Sequence, residues 1–462
     1  MKIAMMASEV LPFAKTGGLA DVAGSLPLAL EYSGQEVIII MPGYKCIGET
    51  RLKINKIAED ISFSVIGKNI KVYFIENKLY FNRDGLYGDK FGDYPDNLER
   101  FSYFCRRAIG LLKEINFNAD ILHLHDWQNS LVPVYLKEKY SGNVFYKKMK
   151  CILTIHNIGY QGIFDRKEFP KLGLKNELFD INGLEFYGKI NLLKGGIIFS
   201  DFINTVSPTY AKEIQGKEFG FGLDGLLKER KSVLSGILNG LDYSVWDPGS
   251  DKFILHNFTC ENPENKVLDK EDLQRTCGLP VNKGIPVLGM VSRLAEQKGF
   301  DILVEIVDKL GKMNLQLVIL GTGDLKYHQI LKKMSDKYPG CISLNLRFDE
   351  SLAHKIYAGS DMFLMPSKYE PCGLGQLISL HYGTIPLVFK TGGLSDTVNS
   401  KNGFLFNEYS KDKLLKMVVK AVSVFKDKAA WESLVKNAMK CNFSWMVSAD
   451  KYIKLYAKAK AS

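Results

Sequence analysis

The residues Lys-Thr-Gly-Gly-Leu occur twice in this chain, within KTGGLADV at 15–22 and within KTGGLSDTV at 390–398. A lysine supplies a mobile positive charge. Adjacent glycines permit backbone shapes that turn N–H groups toward an anion at close range. Phosphate binding is the chemistry such a loop suits. Two more cations, Arg293 and Lys298, stand in VSRLAEQKG, where an apolar run gives way to a helical pattern. Both cations and the helix N-terminus could address one anion there. The acid in PSKYEPCGLGQ is Glu370, two residues before Cys372. No histidine or other base neighbours Cys372 in sequence, so packing and an amide contact are expected of it rather than nucleophilic attack.

Other motifs fail on context. GFGLDG, at 220–225, satisfies G-x-G-x-x-G but follows a helical segment instead of a strand, which counts against a dinucleotide site and an NAD-linked dehydrogenase. GLEFYGK, at 183–189, nearly makes a Walker A loop, yet Ile190 stands where Ser or Thr must hold magnesium. His123 and His125 share one strand face without a third ligand nearby. None of the eight cysteines forms a C-x-x-C pair, so neither a zinc site nor a disulfide framework is expected. No two aspartates are spaced D-x-D. The charge of a diphosphate is therefore expected to be met by protein cations and amides, with no metal and no cofactor.

These residues need elements to hold them. Apolar runs at 2–7, 36–41, 70–75, 120–125, 151–156 and 202–206 form one series, and runs at 287–292, 315–320, 342–346, 362–366 and 385–389 a second. They are continuous rather than alternating, as parallel strands covered on both faces require. Helical periods lie between them, for example at 21–32, 97–115, 300–310 and 411–425, followed by a last helix rich in Trp445, Tyr452 and Tyr456. The pattern is a doubly wound α/β arrangement occurring twice. Length alone points to two domains, since 462 residues exceed one ordinary core. The stretch around W-D-P-G-S-D and E-N-P-E-N breaks the rhythm. The expected division is 1–242, a connection at 243–284, a second domain at 285–440, and a crossover helix at 441–462. If the two halves face each other, the two KTGGL loops meet across one cleft.

The composition, 46% apolar and 24% charged, is that of an ordinary globular enzyme. No apolar run approaches the roughly 20 residues that span a bilayer. The N-terminus reads as a strand and not as a signal or transit peptide, so a bacterial cytoplasmic home is expected. The net charge of +10 is spread without an aromatic-interleaved basic stripe, which argues against nucleic acid. Lys451, Lys454, Lys458 and Lys460 read as a solvated helix face.

Nearly end to end, the chain resembles the bacterial glycogen synthases and plant starch synthases. The resemblance rests on ordered phrases: KTGGLADV, HLHDWQ, TIHNIGYQG, TVSPTYAKEI, GILNGLD, SRLAEQKG, PSKYEPCGLGQ and KTGGLSDTV. It implies a GT-B fold, with two Rossmann-like domains facing a central cleft and a C-terminal helix crossing back to the first. It further implies transfer of glucose from ADP-glucose to the non-reducing 4-OH of an α-1,4-glucan, with retention and without metal. Glycogen or a maltooligosaccharide is then the partner, and oligomeric state stays open.

By matched position, Lys15, Gly17 and Gly18 are expected at a phosphate, and Arg293 and Lys298 at the leaving diphosphate. Glu370 is expected at the glucosyl ring, with His156 and Asn157 as its partners from the first domain. Asp21 and Asp126 are expected near the acceptor or in loop order. The amides of Cys372, Gly373, Leu374 and Gly375 belong near sugar and phosphate, with Asn239 and Thr391 completing the substrate set. Phe348 is expected at the adenine, where many relatives carry Tyr, and Gly375 stands where many carry Thr. Ile378, eight positions after Glu370, shows that the second glutamate of a larger retaining group is missing. Glu370 retains three candidate roles: nucleophile, electrostatic partner of an oxocarbenium, or hydrogen-bond acceptor for a sugar hydroxyl. Same-face attack, with the departing phosphate taking the acceptor proton, is the favoured scheme.

Overall fold

The computed structural model describes all of residues 1–462 and divides them into two units, Met1–Gly240 with Trp445–Ser462, and Leu241–Ser444. All eleven anticipated runs are strands, and the centres of all but the edge strand Ile342–Asn345 are buried: Ile3, Ala4, Met5 and Met6 in the first, Leu317, Val318 and Ile319 in a later one. Burial on both faces is what made the runs continuous instead of alternating.

The second unit holds six parallel strands. In spatial order they are Ile342–Asn345, Gln316–Leu320, Val287–Val291, Met362–Met365, Ile385–Phe389 and Phe404–Phe406. By chain order this is 3-2-1-4-5-6, the Rossmann arrangement. The first unit repeats it: Ile70–Ile75, Glu36–Pro42, Lys2–Met6, Ile121–His125, Lys150–Ile155, Phe202–Thr205 and Leu234–Gly236 lie side by side and parallel. A hairpin, Asn55–Ala58 and Ile61–Ile66, extends its edge in the antiparallel sense. The sequence series missed that hairpin, the edge strands Leu234–Gly236 and Phe404–Phe406, and a small antiparallel sheet around Lys189–Asn191.

The helix expected at 300–310 is two short helices, Phe300–Val304 and Val307–Gly311. Ile302, Val304, Ile306 and Val307 are β-branched, and such a run weakens helical continuity. Residues 243–284 lie within the second unit. Trp246 stacks on His354 at 4.0 Å, and Tyr243 stacks on His381 at 4.2 Å. The buried Asp251 carboxylate accepts from Tyr382 at 2.6 Å and pairs with His354 at 2.7 Å. The last helix, Trp445–Ala461, belongs to the first unit, where it packs on the helix Gly18–Tyr32 and on the strands Ile121–His125 and Lys150–Ile155.

Candidate active site

In a doubly wound sheet the ligand crevice lies beyond the carboxyl ends of the strands where chain order reverses. In the second unit that point falls between Val287–Val291 and Met362–Met365. VSRLAEQKG leaves the first of these strands and PSKYEPCGL the second, so the topology itself brings the cations and the acid together.

Lys298 Nζ donates to both oxygens of Glu370, at 2.9 and 2.7 Å, and Ser367 Oγ donates to the same carboxylate at 2.9 Å. Glu370 is only 6% exposed. The two loops are stitched by the Lys368 amide donating to the Gln297 carbonyl at 2.9 Å. Gly299 makes this approach possible. Its φ is +81°, and a Cβ there would lie 2.2 Å from the Pro366 carbonyl oxygen. The Arg293 side chain is exposed and makes no ion pair or hydrogen bond, which leaves a free cation on the same loop as the paired Lys298.

The second KTGGL phrase supports this acid from behind. The Gly393 amide donates to the Glu370 carbonyl at 3.1 Å, and a Cβ on Gly393 would meet the Cys372 carbonyl oxygen at 2.1 Å. Thr391 and Cys372 are both buried there, and Gly373 adopts φ +76°. Gly375 has a packing reason for lacking a side chain. A Cβ would come within 3.0 Å of the Phe363 ring and 3.2 Å of Met365 Sδ. Leu374 precedes it at the start of the helix Gly375–His381. Phe348 is 92% exposed, an unstacked ring.

In the first unit the reversal lies between Lys2–Met6 and Ile121–His125. The first KTGGL phrase follows the former strand and opens the helix Gly18–Tyr32. Its amides are already occupied in part. Glu9 accepts from the Thr16 amide, from Thr16 Oγ1 at 2.7 Å and from the Gly17 amide at 3.0 Å, while Tyr87 Oη donates to it at 2.7 Å. The Gly17 amide is thus held by a carboxylate of the chain, and the Gly18 amide remains open. Lys15 Nζ pairs with Asp21 at 2.8 Å. Burial raises the Asp21 carboxyl above its ordinary range, against the lowering effect of Lys15.

Asp126 holds the following loop in order. It adopts φ +56°, rare for a residue with a side chain, and its Oδ1 accepts from the His156 amide at 2.7 Å. Burial pushes its carboxyl up to about 7, with the nearby Glu9 charge adding to the effect. His156 Nε2 lies 2.9 Å from His125 Nδ1. Asn157 Oδ1 accepts from the Gly159 amide, closing the turn after His156. Asn239 is buried with its Oδ1 unpartnered.

The structure thus gathers Lys298, Glu370, Cys372, Gly373, Leu374, Gly375 and Thr391 in one unit. It gathers Lys15, Gly17, Gly18, Asp21, Asp126, His156 and Asn157 in the other. Sequence reading missed Glu9, Tyr87 and Ser367. Glu9 carried a signal, being a lone acid inside the apolar stretch MASEVLPFA.

The histidines predict acid lability. Burial lowers His123 and His156 to about 3, and takes His125 well below its ordinary value. The unfolded chain binds these protons near 6.5 and the folded chain does not, so stability is full above 6.5 and falls as pH drops toward 3. At pH 5 His123 and His156 each cost about 2 kcal/mol relative to neutrality, and His125 acts in the same direction. Asp126 has the opposite sign, its raised value favouring the fold as pH falls below about 7, and offsets one of the three. Urea denaturation should show a net loss of stability between pH 7 and 5 from this cluster. His123→Asn should flatten that slope; an unchanged slope would refute the assignment.

A repeated Rossmann order, with a lysine–glutamate pair at the switch point of the second half, is the architecture of the GT-B glycosyltransferases, and similarity to known proteins places the chain among them. Residues 2–229 match the family described as starch synthase catalytic domain, and residues 278–440 match glycosyl transferases group 1. The chain is 48% identical to a glycogen synthase of Thermosipho melanesiensis over 99% of both chains. It is 45% identical to that of Thermotoga maritima over 100% of this chain and 99% of the relative. Among solved structures, the catalytic domain of starch synthase IV from Arabidopsis thaliana, bound to ADP and acarbose, superposes with a TM-score of 0.90 at 32% identity, covering 100% of this chain and 99% of that one. A sucrose-phosphate synthase from Thermosynechococcus elongatus shares the fold at a TM-score of 0.63 and 16% identity, covering 100% and 99%. The chain belongs to the glycogen and starch synthase family and is a glucosyltransferase of glycogen synthesis.

Proposed function

We propose that the donor is ADP-glucose and that the enzyme transfers its glucose, with retention, to the non-reducing 4-OH of an α-1,4-glucan, releasing ADP in the bacterial cytoplasm. The observation that carries this reading is the Lys298–Glu370–Ser367 cluster at the switch point of the second unit, with Arg293 unpaired on the same loop as Lys298. As the glucosyl–phosphate bond breaks, negative charge grows on the diphosphate, and preorganised cations act where it develops. Arg293 and Lys298 take that role. Glu370, both of whose oxygens accept hydrogen bonds from Lys298, suits an electrostatic or acceptor role toward the sugar better than that of a free nucleophile. The departing phosphate then takes the acceptor proton on the same face. Phe348 offers a face on which adenine can stack.

No step is assigned to a divalent ion: Arg293 and Lys298 would meet the charge of the diphosphate, and the sequence has no D-x-D pair. The test is competition between ADP-glucose and UDP-glucose, with glycogen and maltooligosaccharide acceptors. ADP-glucose should prevail, and activity should survive EDTA. Equal use of UDP-glucose would overturn the donor assignment, and loss with EDTA restored by Mg²⁺ would overturn the metal-free scheme.

A further inference from the structure

A row of buried rings joins the last helix to His156. Tyr456 Oη lies 2.8 Å from His123 Nδ1, and His123 Nε2 lies 2.7 Å from Thr154 Oγ1. The His123 ring lies against that of His125 with centroids 4.2 Å apart, and His125 Nδ1 reaches His156 Nε2 at 2.9 Å. Asn204 Nδ2 donates to Tyr452 Oη at 3.1 Å and to Thr154 Oγ1, tying the same helix to the same strand. All of these groups belong to the first unit.

We infer that His125 is a positioning residue that fixes the tautomer and ring orientation of His156, and that Tyr456 of the last helix holds His125 in place through His123. The inference rests on the reading of His156 as a group facing the glucosyl ring.

Hydrogen-bond accounting carries the argument. Two neutral imidazoles that share one contact hold a single proton between them. His125 Nε2 is buried and has no partner. If the shared proton sat on His156, His125 would have to carry its own on Nε2, leaving an orphaned buried N–H, the rarer defect in folded proteins. The proton therefore belongs on His125 Nδ1, and His156 Nε2 accepts. The remaining proton of His156 then lies on Nδ1, which makes no hydrogen bond within the chain. His156 is thus held as an Nδ1–H donor, suited to a sugar oxygen. Burial keeps all three rings neutral, so the arrangement does not scramble by protonation near neutral pH.

The experiment compares His125→Asn with His125→Gln, and adds Tyr456→Phe and His156→Ala. The asparagine amide places a donor at the same number of bonds from Cα as Nδ1, whereas glutamine places it one bond further. His125→Asn should keep kcat within about threefold of wild type, and His125→Gln should lose about 10- to 100-fold in kcat with donor KM little changed. Tyr456→Phe, which removes one hydroxyl, should cost about three- to tenfold in kcat. Nitrogen-15 NMR of the imidazoles should show His156 as the Nδ1–H tautomer in wild type and His125→Asn, and as a mixture in His125→Gln and Tyr456→Phe. Equal kcat for the Asn and Gln variants, or an Nε2–H tautomer in wild type, overturns the inference. Wild-type activity of His156→Ala instead overturns the underlying reading of His156. If the Gln variant fails to fold, Tyr456→Phe and the wild-type tautomer still decide.

Discussion

Glu370→Gln should fold normally and incorporate glucose into glycogen about 10²- to 10³-fold more slowly than the unaltered chain, the loss typical when one preorganised charge-stabilising group is removed. Glutamine keeps the shape and can still accept from Ser367, but it carries no charge for a developing oxocarbenium. Lys298→Ala should produce a loss of the same order for the opposite reason, the absence of a cation for the diphosphate. It should also weaken the fold, because it strands a carboxylate that is 6% exposed with only Ser367 donating to it. Removing one partner of a fully buried pair costs about 3–5 kcal/mol. Lys298 keeps 22% of its side chain in solvent, which screens the interaction, so about 1–3 kcal/mol is expected. The double variant Lys298→Ala/Glu370→Gln should regain much of that stability while remaining inactive, since no charge is then stranded. Thermal denaturation and initial rates on the four proteins separate the two effects. Wild-type rates in both Glu370→Gln and Lys298→Ala would defeat the scheme.

What the sequence disclosed, and what it hid, follow from where information is local. A strand buried on both faces writes itself as a continuous apolar run, so ten core strands could be read from the chain, together with the edge strand Ile342–Asn345, which keeps an apolar ISL start. Edge strands such as Leu234–Gly236 are only half covered and leave no such run. Lys298 and Glu370 were legible as chemistry because each sits in a distinctive phrase. Their mutual bond was not, since 72 residues separate them and only the 3-2-1-4 strand order makes them neighbours. Glu9 was missed because its role is defined by what it accepts from, namely the amides of Thr16 and Gly17, and hydrogen bonds from backbone leave no mark in residue type. The three-histidine row escaped in the same way. His123 and His125 were weighed as metal ligands because only their spacing was visible. Thr154 and Tyr456, the actual partners of His123, lie on another strand and on the last helix.

The repeated glycines give a second large effect, opposite in the two copies. Gly393→Ala should destabilise the chain by about 3 kcal/mol or more and collapse kcat, whereas Gly18→Ala should leave stability unchanged or raise it by about 0.5 kcal/mol. A Cβ on Gly393 would lie 2.1 Å from the Cys372 carbonyl oxygen and 2.5 Å from its Cα, and backbone has no rotamer by which to escape. The loop 370–372 must move, and Glu370 would move with it, since its carbonyl accepts from the Gly393 amide. A Cβ on Gly18 would meet nothing within 4 Å, and the residue opens a helix, where alanine is the better former. Alanine keeps the amide left open by Glu9, so any cost should fall on the donor KM alone, through a methyl group standing where an anion would approach that amide. Melting curves and steady-state kinetics on the two variants decide the matter, and equal behaviour would refute it. The same dipeptide thus answers to different constraints: in the second copy glycine is needed so that backbone can touch backbone, whereas in the first the space beside Gly18 is open and alanine should be tolerated by the fold.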